Sequence, residues 1–377
     1  MVLKRLVTML SIGFILLTLV SCTEEDEKEG LAQRTLVVYL GGDNNLSSET
    51  TRKISSLARG YKSEYGNLII YQDDASQPKL WQVKDDENGV GKPILLKQLE
   101  ESNSADGTVF SGVLSEVVKQ FPASTYGLIV FSHGSGWLPA GTYATPKTIV
   151  VDGVHEMEIA DFAKAIPDHL FDYIVFEACY MANIEATYQL RNKAKYILGS
   201  AAEMLSPGFE DIYPSHLYKL LKKEPDLRGF AEAYFSYFDG MQGVNRSATV
   251  SVVCTDSLTR LASNARRCLV TARLDTLHTQ HLQQFDRLQD SRGRHLFFDL
   301  DSFIKVASPT SAYAEFNKML SHCVLYKRST QYFMLGSGGG FVVRTHCGLT
   351  TYINQPDYTV INEKYKETDW WRDVLKN

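Results

Sequence analysis

The sequence predicts an α/β protein whose mainly parallel sheet is sandwiched by helices, with a helical C-terminal subdomain beyond it. Two observations carry this. Residues 35–40 (T-L-V-V-Y-L), 67–71 (N-L-I-I-Y), 127–131 (G-L-I-V-F) and 173–176 (Y-I-V-F) are continuous apolar runs after at most one polar residue rather than alternating, the pattern of strands buried on both faces. Between most of them lie stretches with apolar residues at three- and four-residue spacing, and strands that alternate with helices imply right-handed crossovers and parallel pairing.

Taken in order, residues 35–40 form the first strand, ended by Gly41 and Gly42, with Asp43, Asn44 and Asn45 in the turn that follows. Ile54, Leu57, Ala58 and Tyr61 then share one face of a helix. Residues 67–71 are the second strand and 80–83 a peripheral hairpin strand. Asp106 caps a helix with Val109, Val113, Leu114, Val117, Val118 and Phe121 on one side, and Pro122 stops it. The third buried strand, 127–131, delivers Ser132, His133, Gly134, Ser135, Gly136 and Trp137 at its carboxyl end. A loop over 138–147, a short strand at 148–152 and a helix at 156–166 lead to the fourth strand, which runs into Glu177, Ala178 and Cys179. Residues 196–199 make a fifth, ending at Ser200 to Glu203. Beyond it, 217–237 reads as helices, 249–254 as a strand, 258–288 as a long helical stretch and 297–319 as a helical pair. Gly336, Gly338, Gly339 and Gly340 lack the Lys and Ser or Thr of a phosphate loop and read as a hairpin; Trp370 and Trp371 read as an anchor for the carboxyl terminus.

With 377 residues and 44% hydrophobic content, the chain has the material for a large core. Lys4 and Arg5 precede an uncharged stretch from Leu6 to Val20, the n- and h-regions of a secretory signal. That signal ends in L-V-S-C, which resembles the lipobox of bacterial lipoproteins and implies a lipid anchor on Cys22. The acidic block after Cys22 reads as a solvated tether and resembles the surface-export signal of Bacteroidota lipoproteins, which implies an outer-membrane or cell-surface location. The expected division is a signal at 1–21, a tether at 22–32, a core at 33–254 and an extension packed on it at 255–377. The net charge of -5 gives no support to nucleic-acid binding. Arg260, Arg266, Arg267, Arg273, Arg287, Arg292 and Arg294 alternate with acids and read as solvated helix faces. The other cysteines, Cys179, Cys254, Cys268, Cys323 and Cys347, contain no C-x-x-C pair and no zinc spacing with His.

Reactive groups in open α/β sheets sit beyond the carboxyl ends of the strands. Cys179 and His133 both close buried strands on that edge, so they converge although far apart in sequence. A free thiol is a few per cent ionised at neutral pH, and an imidazole that takes its proton makes it a competent nucleophile. Gly134 and Gly136 let the backbone approach a substrate, and the amides of Gly134 and Cys179 are candidate oxyanion donors.

F-S-H-G-S-G-W (131–137), V-V-D-G (150–153) and F-E-A-C-Y-M (176–181) resemble the motifs of the clostripain family of cysteine peptidases, relatives of caspases, gingipains and legumain. G-G-D-N-N-L (41–46), F-D-L-D-S-F (298–303) and the C-G-L-T-T-Y-I run ending at Ile353 match as well. The resemblance implies a caspase-like fold, His133 as proton shuttle, Cys179 as nucleophile, and cleavage of protein or peptide substrates after Arg or Lys. It also implies a zymogen that cuts itself between the two catalytic residues. Lys147 is the basic residue available in that loop, and cutting there gives a light chain with His133 and a heavy chain with Cys179 that stay associated. Glu177, on the same side of the extended chain as Cys179, stands where the family usually carries Asp and is the expected acceptor of the substrate's cation, with Glu203, Glu210 and Asp211 as secondary candidates. Clostripain-type enzymes can depend on calcium. Asp43 and Asn44 are suitable oxygen donors, but no D-x-[DN]-x-[DN]-G loop exists, so no cofactor is assigned. Two other functions compete: a Cys/His amidase of different specificity, and a surface lipoprotein that binds protein or glycan without turnover. A binding module gains nothing from keeping both His133 and Cys179.

Overall fold

Continuous apolar runs produce strands that are buried on both faces. In β1 (Ala32–Gly41), Leu36, Val38 and Leu40 enter one core cluster while Val37 and Tyr39 enter the other, and none is more than 1% exposed. The computed structural model describes residues 31–270, 272, 277–287 and 294–376. The signal-like segment, Cys22 and the acidic block lie outside the described residues. Residues from Ala32 onward form one compact unit.

After β1 come α1 (Ser47–Gly60), β2 (Asn67–Asp73), β3 (Lys79–Asp85), β4 (Gly91–Gln98), α2 (Gly107–Gln120) and β5 (Ala123–Phe131). A small hairpin of β6 (Val150–Asp152) and β7 (His155–Met157) precedes α3 (Ile159–Ala165), β8 (Phe171–Glu177), α4 (Ile184–Gln189), β9 (Ala194–Gly199) and β10 (Thr249–Cys254). Two later strands, β11 (Phe298–Asp299) and β12 (Val324–Ser329), lie among further helices. The main sheet has the order β12-β10-β9-β8-β5-β1-β2-β3-β4. Its five central strands are parallel, and antiparallel pairs close both edges. The α/β class with a mainly parallel sheet between helices is therefore observed.

Helix α1 and the helix Leu227–Asp239 pack on one face, while α2, α3, α4 and the helix Leu258–Leu269 pack on the other. Asp106 caps α2 as expected, accepting from the amides of Thr108 and Val109. β4 was not expected: apart from Gly91 it is exposed, so it lacks the apolar signature of a buried strand. The long helix expected over 258–288 ends at Leu269, and the described residues 277–287 hold a single turn at Thr279–His281. The segment after 254 is joined to the core directly, because β12 extends the sheet beside β10. Two short antiparallel strands, Tyr332–Phe333 and Phe341–Val342, flank the glycine run as a hairpin. Trp370 is buried edge-on to Tyr188 at 5.4 Å, which anchors the terminal helix. Among the described residues no helix is long and apolar enough to cross a membrane.

Candidate active site

Parallel pairing brings His133 and Cys179 to one place. β5 and β8 are neighbours, and their register sets Phe131 opposite Glu177, so each candidate lies two residues past the same rung of the ladder. The loops that leave these rungs are in direct contact. A Cβ added to Gly134 would lie 2.4 Å from the carbonyl oxygen of Cys179 and 2.8 Å from its nitrogen, so only glycine fits there. Tyr180 follows the thiol with φ 60°, a strained value for a residue with a side chain, and its ring is stacked on Phe297 at 4.4 Å. That turn lifts Cys179 clear of the strand.

The thiol and the imidazole line one cleft of about 230 Å³, together with Leu46, Glu49, Lys53, Phe131, Glu177, Glu203, Met204, Ser206 and Arg287. Cys179 Sγ accepts from the Met204 amide at 3.3 Å. Burial pushes the thiol up to about 11, against the opposing pull of that amide and of the Lys147 and Arg287 charges. Burial, then the charge of Lys147, holds His133 below the ordinary imidazole value, while Glu49 pulls it the other way. Both shifts favour the uncharged forms, the thiol of Cys179 and the neutral imidazole of His133. His133 Nε2 lies 2.7 Å from Asn45 Oδ1.

The expected carboxylates divide sharply. Glu177 lies in the cleft wall, but its Oε1 accepts from Lys53 Nζ at 2.6 Å and the Phe209 amide at 2.5 Å, and its Oε2 from the Tyr213 hydroxyl at 2.7 Å. Its side chain is 2% exposed, in space kept open by Gly208 at φ +63°. The expectation that Glu177 presents a free carboxylate is corrected by that closed set of partners. Glu203 lines the cleft as half of an ion pair with Arg287 at 2.8 Å. Glu210 instead pairs with Arg52 on α1, and Asp211 accepts from Tyr237, so these two acids are engaged elsewhere.

The loop before β6 also differs from expectation. Lys147 is not on its exposed tip: it is half-buried, its amide donates to Glu156 Oε1 at 2.8 Å, and its ammonium lies 5.1 Å from the centre of the Tyr143 ring. Its charge acts on both His133 and Cys179. Of the two oxygen donors named without a cofactor assignment, Asn44 is engaged within the protein. Asn44 spends its amide on Val151 O and the Leu46 amide, and among the described residues no three His, Cys, Asp or Glu side chains converge on a metal position. The five described cysteines are free thiols.

The model of the clostripain family matches residues 38–376. The chain belongs to the clostripain family. Clostripain from Hathewaya histolytica is 24% identical over an alignment of 223 residues that covers 50% of this chain and 42% of that protein, so the match spans less than half of the curated relative. An inactive zymogen C11 protease from Parabacteroides distasonis superimposes with a TM-score of 0.82 at 30% identity, covering 92% of this chain and 99% of that one. A secreted C11 cysteine protease from Bacteroides thetaiotaomicron, solved with an irreversible peptide inhibitor, gives 0.79 at 26% identity, covering 91% and 99%. This clostripain-family chain thus has the caspase-like fold of C11 peptidases.

Asn45, beside His133, and the cleft residues Glu49, Lys53 and Arg287 escaped sequence reasoning. Asn45 stands in the G-G-D-N-N-L motif, which was noticed without a role for that residue. Glu49 and Lys53 lie on the polar side of α1, where charged residues ordinarily face water. Arg287 was read as part of a solvated helix face, yet it pairs with Glu203 beside the thiol.

Proposed function

We infer that this clostripain-family chain is a cysteine endopeptidase that cleaves after a basic residue, is made as a single-chain zymogen, and processes itself after Lys147. The observation that carries the reading is the convergence of His133 and Cys179, each two residues past the same rung of the β5–β8 ladder, on one cleft. The similarity to an inactive zymogen and to a protease bound to a peptide inhibitor supports it.

With Asn45 Oδ1 accepting from Nε2–H, the basic nitrogen left to His133 is Nδ1. It takes the Cys179 proton as the sulfur attacks the carbonyl carbon, and the amides of Gly134 and Cys179 are the proposed donors to the oxyanion. The C–N bond then breaks, the imidazolium proton goes to the leaving amine, and a thioester remains. Water adds to the thioester with His133 again as base, which releases the acid and restores the thiol. While Lys147 is in place its charge disfavours the imidazolium that this cycle needs. Cutting after Lys147 leaves its ammonium at a new chain end beside a new carboxylate, free to move away from His133, and Glu49 remains to favour the imidazolium.

The test is incubation of the purified full chain. Wild type is expected to convert to two fragments, the second starting at Thr148, while Cys179→Ala and Lys147→Ala stay single. Hydrolysis of fluorogenic Arg or Lys peptides should then follow and be blocked by a thiol alkylator. Absence of alkylator-sensitive hydrolysis, even after tryptic nicking at Lys147, sinks the proposal. Export and lipidation at Cys22, with an outer-membrane or surface location, are proposed from residues 4–29 alone. Palmitate labelling that survives Cys22→Ser would overturn them.

A further inference from the structure

The cleft holds more than one catalytic pair, and its charges can be matched one by one. Glu203 is paired with Arg287 at 2.8 Å, and Glu177 with Lys53 at 2.6 Å. Of the three cleft carboxylates, Glu49 remains without a cation at hydrogen-bond distance among the described residues. Its Oε2 is 3.9 Å from Lys53 Nζ, its Oε1 accepts only the Ser206 hydroxyl at 3.2 Å, and its side chain is 15% exposed. The cleft is one positive charge short.

The position of that charge follows from α1. Asn45, Glu49 and Lys53 are spaced four apart, and four residues of helix rise ~6 Å. α1 starts at the catalytic edge, where Asn45 meets His133, and runs away from it. Along the helix, Glu49 is therefore about one turn nearer than Lys53 to the edge where His133 lies. Lys53 occupies the deep end as a substrate cation would: Nζ on Glu177, a second bond to Pro207 O at 3.0 Å, and the face of Phe131 at 4.3 Å. A substrate ammonium or guanidinium reaching Glu177 would have to expel a lysine whose side chain is 1% exposed.

We propose that Glu49, rather than Glu177, receives the cation of the substrate residue preceding the scissile bond, and that Lys53 enforces this by closing Glu177 in an internal ion pair. A basic side chain then completes a set of three carboxylates and three cations, whereas a neutral one leaves Glu49 uncompensated. Lys53 also shortens the pocket, so the substrate's charge is held near the mouth. The inference rests on the proposed preference for basic residues.

The experiment compares peptides that differ only in arginine or its neutral isostere citrulline before the scissile bond. The ratio of their kcat/KM values is read on the full chain after processing, with active sites titrated by an irreversible thiol reagent. This ratio cancels folding and catalytic defects, which act on both peptides. Glu49→Gln should lower the arginine:citrulline ratio at least tenfold. The double variant Lys53→Met/Glu177→Gln should keep the ratio within threefold of wild type, and Lys53→Met alone should raise it by exposing Glu177. A ratio unchanged in Glu49→Gln, or abolished in the double variant, overturns the proposal while leaving the basic preference standing. A wild-type ratio near one would instead remove the basic preference itself, and this inference with it.

Discussion

Replacing Lys53 with methionine isolates the most buried charge pair beside the active site. The methionine chain replaces the aliphatic stem, so the loss is mainly that of the ammonium. Glu177 would keep two donors, the Phe209 amide and the Tyr213 hydroxyl, but lose the cation 2.6 Å away, and Pro207 O would lose its donor. Removing one partner of a buried pair costs ~3–5 kcal/mol; the two retained donors favour the low end and the orphaned carbonyl adds ~1, giving about 4 kcal/mol. Glu177→Gln leaves Lys53 with Pro207, the Phe131 face and nearby Glu49, so it should cost only ~2 kcal/mol. The double variant leaves no buried charge without a partner and should cost ~2 kcal/mol or less, so the cycle predicts a coupling near ~4. Guanidinium unfolding at pH 7 in a Cys179→Ala background, which prevents self-cutting, measures all four corners. A cost below ~1 kcal/mol for Lys53→Met, or additivity of the two substitutions, would refute the description of this pair as closed and mutually dependent.

Three further outcomes are expected. Asn45→Ala should lower kcat by about tenfold to a hundredfold with a small change in KM, because Asn45 orients His133 and does not touch the substrate; steady-state kinetics on the processed enzyme separates the two. In the uncut chain alkylation of Cys179 should be slow at neutral pH and rise towards about pH 11, and after processing the inflection should move to lower pH; rates with iodoacetamide across pH check this. Asp73 is fully buried, and burial, with Asp152, Asp43 and Glu101 nearby and only Ser104 pulling the other way, raises it from 3.8 to about 7. The folded state therefore binds this proton more tightly than the unfolded one. The stabilisation it gives is complete below about pH 4 and is lost as pH rises to about 7, so Asp73→Asn should stabilise the chain at pH 8, by up to ~4 kcal/mol, and change little at pH 4.

The parts legible in the sequence are those whose cause is local. β1, β2, β5 and β8 announce themselves because both faces of their central runs are buried and those runs are almost wholly apolar. His133 and Cys179 could be placed because strand ends on one edge of a parallel sheet are neighbours whatever their sequence separation. β4 was illegible because its apolar run is only Ile94, Leu95 and Leu96, all exposed and closed in by Lys92, Pro93 and Lys97. The overlong helix after Leu258 reflects periodicity continued past the point where tertiary contacts end it. The closed state of Glu177 depends on Lys53, 124 residues away, and the role of Asn45 on a contact spanning 88 residues. No local pattern distinguishes such residues from the solvated face of an ordinary helix.

A cut after Lys147 falls in the connection between β5 and β8, which are central strands of the sheet. Everything from β1 to β5 would belong to one polypeptide and everything from β6 to β12 to the other. The seam is the ladder from Gly127 and Tyr173 to Phe131 and Glu177, reinforced by Arg34 with Asp172 at 2.5 Å and by Lys53 with Glu177. Each half on its own would expose a parallel strand that is buried on both faces in the intact fold. The severed protein therefore holds together as long as it stays folded, but it cannot easily find its way back once melted, since recovery becomes an encounter between two incomplete chains. The uncut chain can refold as a single molecule. Activation would exchange that reversibility for a finite working life, set by the rate of unfolding rather than by the depth of the folded minimum.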